Sequence, residues 1–384
     1  MYGKEINTLN NNSPKHPLSP KKIALFVLYA LIAVFLLLTV LSFNDLPGII
    51  KHLQTVDIGY VLLGVLMVII YLALFPLSLC ILAKAIKIKV GLPMIYTIGM
   101  TEHFFNGITP LATGGQPFQA HLFTKVKVNL GESTGLLMTN LLMFMMATNG
   151  LSVTALIFFK PLTSSIDSFW YPIIVIGYTL NLLLLVATFT LAISRKVRKA
   201  VLRFIHFLSL HRPFRRLQKH EEYLQSYFKK VQSSVHHLIN NKKYFFAALA
   251  SKVLSYCFLY GSAYFILLSM DVPVTPAHLP LIILGTSFAI TAVGFIPTPG
   301  ASGGVEGAAG QIYNAIILIA SGGALAATSD TLANSVMLIW RLLSYYFVMI
   351  ASLFFYIGLE IFFKRKKIKE EALAAKSEPN ASKE

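Results

Sequence analysis

The chain has 384 residues, of which 55% are hydrophobic and only 13% are charged. Soluble domains carry about 25% charged residues, so this composition excludes an ordinary soluble enzyme or binding domain. The formal net charge of +17 would suit a nucleic-acid-binding protein, but the basic residues flank long apolar runs instead of forming one cluster. That placement is typical of membrane proteins, whose cytoplasmic loops are rich in lysine and arginine. The sequence therefore predicts an all-α integral membrane protein that does not bind nucleic acid directly.

Six apolar runs are long enough to be transmembrane helices, because a hydrocarbon core of about 30 Å requires about 20 residues. In chain order they are 23–43, 58–83, 133–159, 169–193, 244–270 and 331–359. Lysines precede the first run, as they would in a secretory signal peptide. That run is too long for a signal peptide and no small-residue cleavage site follows it, so we predict that it is retained as a span.

The basic residues set the predicted topology and domain organisation. Cytoplasmic placement of the basic segments gives a multi-pass protein of the cell membrane with both termini in the cytoplasm. The same segments are expected to attract anionic lipids of the inner leaflet. The predicted units are a cytoplasmic N-terminal segment at 1–22, a first membrane half at 23–193, a basic connector at 194–243, a second membrane half at 244–360 and a disordered basic tail at 361–384.

The connector carries apolar residues at helical spacing between Leu224 and Leu238, opposite lysine and glutamine positions. This pattern fits an amphipathic helix lying on the inner leaflet. A small soluble helical hairpin fits it equally well. Both interpretations stay open, and at this length the connector is too short to be a catalytic domain.

Two further segments, 91–124 and 279–321, are interrupted by glycine and proline. The string TPLATGG at 109–115 aligns with TPGASGG at 298–304, with five identities in seven positions. The basic loops place the two segments on opposite faces of the membrane. Paired broken segments of this kind are typical of inverted-repeat transporters, in which they form a binding site near the bilayer midplane. We therefore predict six transmembrane helices plus two re-entrant hairpins in an inverted repeat, while eight or more complete spans also satisfy the charge pattern.

Charged side chains within apolar segments are costly and mark functional sites or internal ion pairs. Because an unpaired buried charge is strongly unfavourable, we expect Arg341 and Glu306 to interact, directly or through substrate. Glycine-rich turns present backbone N–H groups that bind anions, and they also allow close helix packing. A phosphate could lie at these turns beside a basic residue while a carboxylate faces a cationic group. The candidate substrate-binding residues are Glu102, His103, Asn106, Thr109, Thr113, Gly114, Gly115, Gln116, Gln119, Lys252, Thr298, Ser302, Gly303, Gly304, Glu306 and Arg341.

The sequence argues against covalent catalysis. The string GASGG at 300–304 satisfies the G-x-S-x-G pattern and resembles that of rhomboid proteases, but no histidine follows His278 to act as the base of a serine nucleophile. No P-loop or His-Glu-x-x-His motif is present. The only cysteines, Cys80 and Cys257, lie in apolar runs and build no disulfide framework or metal site. We predict no catalytic residue, no metal ligand and no cofactor.

Four strings carry a resemblance to a known family: EHFFNGITP at 102–110, ATGGQP at 112–117, FIPTPG at 295–300 and GGVEG at 303–307. They are similar to the lysylphosphatidylglycerol synthase transmembrane (flippase-like) family, and the likeness covers most of 20–360. Full-length members, the multiple peptide resistance factors, join such a membrane domain to a cytosolic aminoacyl-transferase domain. Because the last predicted span ends near residue 360, we expect that domain to be missing here. The resemblance implies lipid translocation and resistance to cationic antimicrobial peptides, and it implies lipid synthesis only together with a separate catalytic partner.

Three functions remain to be compared. The first is a flippase for an anionic, aminoacylated (lysyl-phosphatidylglycerol-like) or polyprenyl-phosphate-linked lipid of the bacterial membrane. The second is the family-name activity, phosphatidylglycerol lysyltransferase, acting with a separate lipid-modifying enzyme as partner. The third is an ion-coupled small-solute transporter, which a broken-helix repeat also supports. We expect the first, because the sequence predicts transmembrane helices with two broken hairpins and no catalytic group.

Overall fold

The computed structural model describes residues 51–158, 168–200 and 232–377, with gaps at 53, 195, 198 and 234, together with residues 203, 207 and 229. The first predicted span, the N-terminal segment and most of the connector lie outside the described residues. Within the described part, the regular structure is helical apart from one isolated β-bridge.

The helices are named in chain order. They are α1 (Ile58–Leu74), α2 (Leu77–Ala85), α3 (Leu92–Met100), α4 (Glu102–Gly107), α5 (Gly115–Lys125), α6 (Leu130–Phe158), α7 (Trp170–Ile193), α8 (Lys242–Leu268), α9 (Leu279–Val293), α10 (Gly304–Ala320), α11 (Ser329–Arg341) and α12 (Val348–Ser377). A short 3-10 helix, Pro276–His278, precedes α9, and a π-helix, Leu342–Phe347, joins α11 to α12.

Six helical segments of the described chain are long and apolar enough to cross a membrane. Five of them coincide with predicted spans: Ile58–Ala85, Leu130–Phe158, Trp170–Thr190, Lys242–Leu268 and Ser329–Glu370. The sixth, Pro276–Val293, is the first arm of the second predicted hairpin. The chain is therefore an all-α, multi-pass integral membrane protein, as predicted.

Both predicted hairpins are present as pairs of helices around an irregular loop. The first consists of α3 and α4, a loop at 108–114, and α5. The second consists of α9, a loop at 294–303, and α10. The arms of the first are short, because Thr101 separates a helix of nine residues from one of six. The arms of the second have 15 and 17 residues.

Two long segments are interrupted within the bundle. Proline has no N–H to continue a helix, and Pro76 separates α1 from α2. The second interruption is the π-helix that follows Arg341 directly. Such insertions occur frequently at functional sites because they redirect the side chains around them.

The helices pack in reciprocal pairs. Helix α1 lies along α8, α6 packs against α9 of the second hairpin, and α12 packs against α3 and α4 of the first hairpin. The second hairpin thus contacts α6, the span that follows the first hairpin. The first hairpin contacts α12, the span that follows the second hairpin. A close crossing joins α7 to α9 at Gly177, where a Cβ atom would collide with the carbonyl oxygen of Ala292.

Two predictions about the connector and the C-terminal tail are revised. The tail was expected to be disordered from 361, which is wrong for 361–377, because α12 continues to Ser377. The sequence there is rich in the good helix formers lysine, glutamate and alanine, and Lys366 and Glu370 lie 3.9 Å apart at i,i+4 spacing. At the end of the connector, Val235 and Leu238 are buried in a core cluster with residues of α2, α3, α5 and α6. That part packs on the protein instead of on the lipid surface.

Candidate functional site

The two loops that share a sequence also share a backbone conformation. Leu111 and Ala112 have φ values of 56° and 50°, and the aligned Gly300 and Ala301 have 62° and 51°. Only glycine adopts this left-handed region without cost, so the non-glycine residues are strained. The repeated strain shows that the seven-residue match reflects one structural motif and not a chance likeness of glycine-rich loops.

The hydrogen bonds of the loops repeat as well. The N–H of Ala112 donates to the Thr109 carbonyl at 3.2 Å, and the N–H of Ala301 donates to the Thr298 carbonyl at 3.0 Å. The hydroxyl of Thr113 donates to the Pro110 carbonyl at 3.0 Å. In the second loop, the hydroxyl of the aligned residue, Ser302, donates to the carbonyl of Pro299 at 2.9 Å. Both copies therefore use a hydroxyl at this position to close a turn.

The two loops meet directly. Pro110 and Pro299, which occupy the same position in the two copies, form an isolated antiparallel β-bridge. Contact between equivalent residues in opposite directions is the arrangement that a local two-fold axis produces. Residues 110–113 are exposed, whereas Pro299 and Ser302 are buried. Irregular backbone inside a membrane protein is tolerated only where it is buried in protein or lines a watery cavity.

A buried ion pair fixes the second loop. Arg341 Nε lies 3.0 Å from Glu306 Oε1, and both side chains are almost fully buried. The predicted interaction of these residues is confirmed. Arg341 also donates from Nη2 to the Gly300 carbonyl and to the Ser302 hydroxyl. The other carboxylate oxygen of Glu306 accepts the N–H of Gly303 at 2.6 Å, at the start of α10. These contacts tie the ion pair to the second loop and hold that loop in shape.

Tyr345 connects this ion pair to the first hairpin. Its ring lies against the Arg341 guanidinium, with the carbon of that group 4.3 Å from the ring centroid, and its hydroxyl donates to the Gly107 carbonyl at 2.7 Å. A side chain at Gly300 would occupy the space of the tyrosine ring. Sequence reasoning missed Tyr345, although it lies four residues after Arg341 and thus on the same helix face, which was the available signal.

The first loop is fixed by neutral groups. The side-chain oxygen of Asn106 accepts the N–H of Gly115 at 2.8 Å, and the hydroxyl of Thr109 accepts the N–H of Gly114 at 2.9 Å. The backbone N–H groups of these glycines are thereby occupied. The predicted anion-binding role of Gly114 and Gly115 is not available in this conformation, because both donors already have partners.

A second buried cluster lies beside the first hairpin. Gln116 Nε2 donates to Glu102 Oε1 at 3.1 Å, and Gln119 Nε2 donates to the carbonyls of Ile98 and Gly99 at 3.1 and 3.3 Å. His103 Nε2 lies 3.3 Å from the hydroxyl of Tyr71. All of these side chains except Tyr71 were predicted as site residues, and the structure brings them together around α4 and α5.

Lys252 reaches this cluster from α8 and is 1% exposed. Its Nζ donates to the carbonyl of Phe75 at 3.2 Å and lies 3.3 Å from the centroid of the Phe75 ring. This carbonyl stands at the end of α1, where Pro76 interrupts the helix. In the described part of the chain, the ion pairs within 4.0 Å do not include Lys252 and Glu102. The lysine is therefore held by a carbonyl at the interruption between α1 and α2 and not by a salt bridge.

The predicted site residues thus form two groups. The first group lies around α4 and α5, together with Lys252 of α8. Its other members are Glu102, His103, Asn106, Thr109, Thr113, Gly114, Gly115, Gln116 and Gln119. The second group lies around Arg341 and comprises Thr298, Ser302, Gly303, Gly304 and Glu306. The hydroxyl of Thr298 is bonded to the Ser302 carbonyl at 2.8 Å. Tyr345 and the Pro110–Pro299 bridge are the contacts that join the two groups.

A cavity of about 290 Å³ adjoins the second group. It is lined by Phe169, Trp170, Glu306, Gly307, Gly310, Gln311, Asp330 and Asn334. Its size is at the lower limit for a ligand pocket. Aromatic rings and carboxylates together favour a cationic group. Among the described residues, no cluster of three or more His, Cys, Asp and Glu side chains could hold a metal ion.

Fold and site together define a multi-pass α-helical membrane protein with two broken hairpins that meet at buried charges. The family described as Lysylphosphatidylglycerol synthase TM region matches residues 23–352. The chain belongs to this family, as the sequence strings indicated. A comparison with curated proteins found no match. Family membership indicates a role of this membrane region connected with lipids.

Proposed function

We propose that this protein is a lipid translocase, which moves the headgroup of an anionic, aminoacylated or polyprenyl-phosphate-linked lipid across the bilayer. The observation that carries the proposal is the meeting of the two loops at Pro110 and Pro299. The loops bring irregular backbone and the exposed Thr113 into a bundle whose outer surface is otherwise rich in large apolar side chains. Polar irregular backbone in such a place indicates a path for polar material.

The arrangement fits a lipid better than a free solute. A lipid headgroup must cross about 30 Å of hydrocarbon while its acyl chains can remain in the bilayer. The first loop is open at 110–113, while the second is locked by Arg341 and Glu306. One open and one locked loop provide a polar surface along which a headgroup moves. The acyl chains of the lipid would remain in the surrounding bilayer.

The inverted repeat is part of this proposal. The reciprocal packing of each hairpin on the span after the other supports a two-fold relation between the halves. The basic loops support opposite insertion of the two hairpins. In inverted-repeat transporters, two such halves move against each other around a central site. We propose the same relation here, with both termini in the cytoplasm of the bacterial cell.

The cavity beside Trp170 supports a cationic portion of the headgroup. Glu306 is neutralised by Arg341, which leaves Asp330 as the uncompensated charge among the lining residues. Asp330 Oδ1 accepts from Asn314 at 2.6 Å, so its orientation is fixed. An aminoacyl ammonium group in the cavity would be attracted by the carboxylate and the indole ring.

Reconstitution tests the proposal. Purified protein in liposomes containing headgroup-labelled lipid is treated with dithionite, which quenches label only in the outer leaflet. We expect quenching beyond the outer-leaflet fraction, with the fastest rate for aminoacylated or anionic lipid. Rates equal to those of protein-free vesicles for every lipid, from correctly folded protein, would refute lipid movement and favour a small-solute transporter. Transfer of labelled lysine to phosphatidylglycerol by the same preparation would instead favour the synthase activity.

A further inference from the structure

The first hairpin contains two buried oxygen atoms that lack a hydrogen bond in the described part of the protein. They are Oε2 of Glu102, a residue 7% exposed, and Oε1 of Gln119, a residue 0% exposed. A buried acceptor without a partner costs about 1–3 kcal/mol, and more when it is charged. Such atoms are rare in folded proteins and require an explanation.

The orientation of Gln119 is fixed by its other contacts. Its Nε2 donates to two carbonyls, those of Ile98 and Gly99. Rotation of the amide by half a turn would place its oxygen against both carbonyl oxygens, so the observed orientation is the only one that the hydrogen bonds allow. Oε1 can then only accept a hydrogen bond.

Gln119 neighbours the Glu102 carboxyl group, but its N–H groups are engaged by the carbonyls of Ile98 and Gly99. Oε1 of Glu102 already accepts from Gln116. An ionised carboxylate has no hydrogen to offer, so Oε2 of Glu102 and Oε1 of Gln119 would be two acceptors without a donor. A hydrogen atom on Oε2 changes this, because a carboxylic acid donates to an amide oxygen.

Several titratable or charged groups face the Glu102 carboxyl group. The titratable or charged groups around it are Lys252 and Tyr256 from α8, Tyr71 from α1 and the adjacent His103, whereas α5 contributes the two glutamine amides. Lys252 is a neighbouring positive charge, and its own contacts hold it to Phe75. The lysine therefore attracts the carboxylate without forming a salt bridge that would lock it.

We propose that Glu102 is a proton-binding site that couples lipid movement to a proton gradient. This inference rests on the proposed function and adds its energy source. A proton arriving from one face adds to Oε2, and the new O–H donates to Oε1 of Gln119. Release of the same proton to the opposite face restores the carboxylate, which is then stabilised by Lys252. Gln116 bonds to Glu102, and Asn106 bonds to Gly115 of the glycine-rich loop. A change in the protonation of Glu102 is therefore transmitted to the loop.

The proton site has a test that does not depend on transport. Infrared difference spectra of purified protein across a pH titration report the C=O stretch of a carboxylic acid. Among the carboxylic-acid bands that titrate in the parent protein, we expect one that is missing in Glu102→Gln. This variant keeps the shape of the side chain and replaces the acid O–H by an amide N–H. Glu132→Gln, which changes an exposed carboxylate in the first turn of α6, is the matched control and should retain the band. An unchanged band in Glu102→Gln would overturn the proposal.

The coupling is tested in proteoliposomes with a pH gradient. The measured quantity is the ratio of lipid movement with the gradient to movement without it. We expect a ratio of several-fold for the parent and Glu132→Gln, and a ratio of one for Glu102→Gln. A rate of lipid movement that does not change with a pH gradient, or that changes only with a sodium gradient, would overturn proton coupling and leave the proposed function intact. If no lipid moves at all, the proposed function fails, and the infrared band alone decides whether Glu102 binds a proton.

Discussion

The Arg341–Glu306 pair allows a quantitative test of the site. Removal of one member of a buried pair leaves an uncompensated charge and typically costs about 3–5 kcal/mol. Arg341→Ala also removes donors from the Gly300 carbonyl and the Ser302 hydroxyl, and Glu306→Ala leaves the Gly303 N–H without its acceptor. Each single variant should therefore lose about 3–5 kcal/mol of unfolding free energy and abolish transport.

The double variant distinguishes an interacting pair from two separate residues. Arg341→Ala with Glu306→Ala leaves no unpaired charge, so its loss should be smaller than the sum of the single losses by roughly 1–3 kcal/mol. Denaturant unfolding in mild detergent gives the free energies. Lys125 and Glu360 form an ion pair of similar length, 2.7 Å, but are 32% and 41% exposed, and provide the matched control. Their coupling should be about 0.2–1 kcal/mol. Small, additive losses at Arg341 and Glu306 would refute the reasoning.

Three further predictions concern the packing and the topology. Gly177→Ala should lower the unfolding free energy by about 1–3 kcal/mol, because the methyl group meets backbone that cannot move aside; unchanged stability would contradict the close crossing. Tyr345→Phe removes the hydrogen bond to Gly107 and should cost about 1 kcal/mol in the same assay while retaining the ring over Arg341. A single cysteine at Lys127 should react with a membrane-impermeant reagent only from the cytoplasm, and one at Asp271 only from outside; labelling of Lys127 from outside would exclude the inverted topology.

Much of the membrane architecture could be predicted from local sequence. Apolar length alone located five of the spans that the structure describes, because a bilayer sets the number of residues required. The repeated TP…GG strings located both hairpin loops. The pairing of Arg341 with Glu306 followed from the cost of a lone buried charge, which depends on burial and not on the details of the fold.

Other features depended on contacts between distant segments and had no local signal. Lys252 was predicted as a substrate-binding residue beside a phosphate, but its observed partner is a carbonyl released at Pro76. The glycines of the first loop have their N–H groups filled by Asn106 and Thr109. The tail is polar from Lys364 onward, like a disordered segment, yet it extends a helix that is already nucleated within the protein.

The central claim is that the headgroup passes where the two loops meet. A residue pair at an antiparallel bridge has Cα atoms about 4.5–5.5 Å apart, which is within the range for a disulfide. We would combine Pro110→Cys with Pro299→Cys in a background in which both native cysteines, Cys80 and Cys257, are replaced by alanine.

Quenching of the headgroup label by a membrane-impermeant, non-reducing quencher, which leaves the disulfide intact, gives the answer for the reconstituted double-cysteine protein. We expect oxidation to stop lipid movement and reduction to restore it, with each single-cysteine variant insensitive to both treatments. Movement at the parent rate by fully oxidised protein would place the path elsewhere in the molecule and contradict the account.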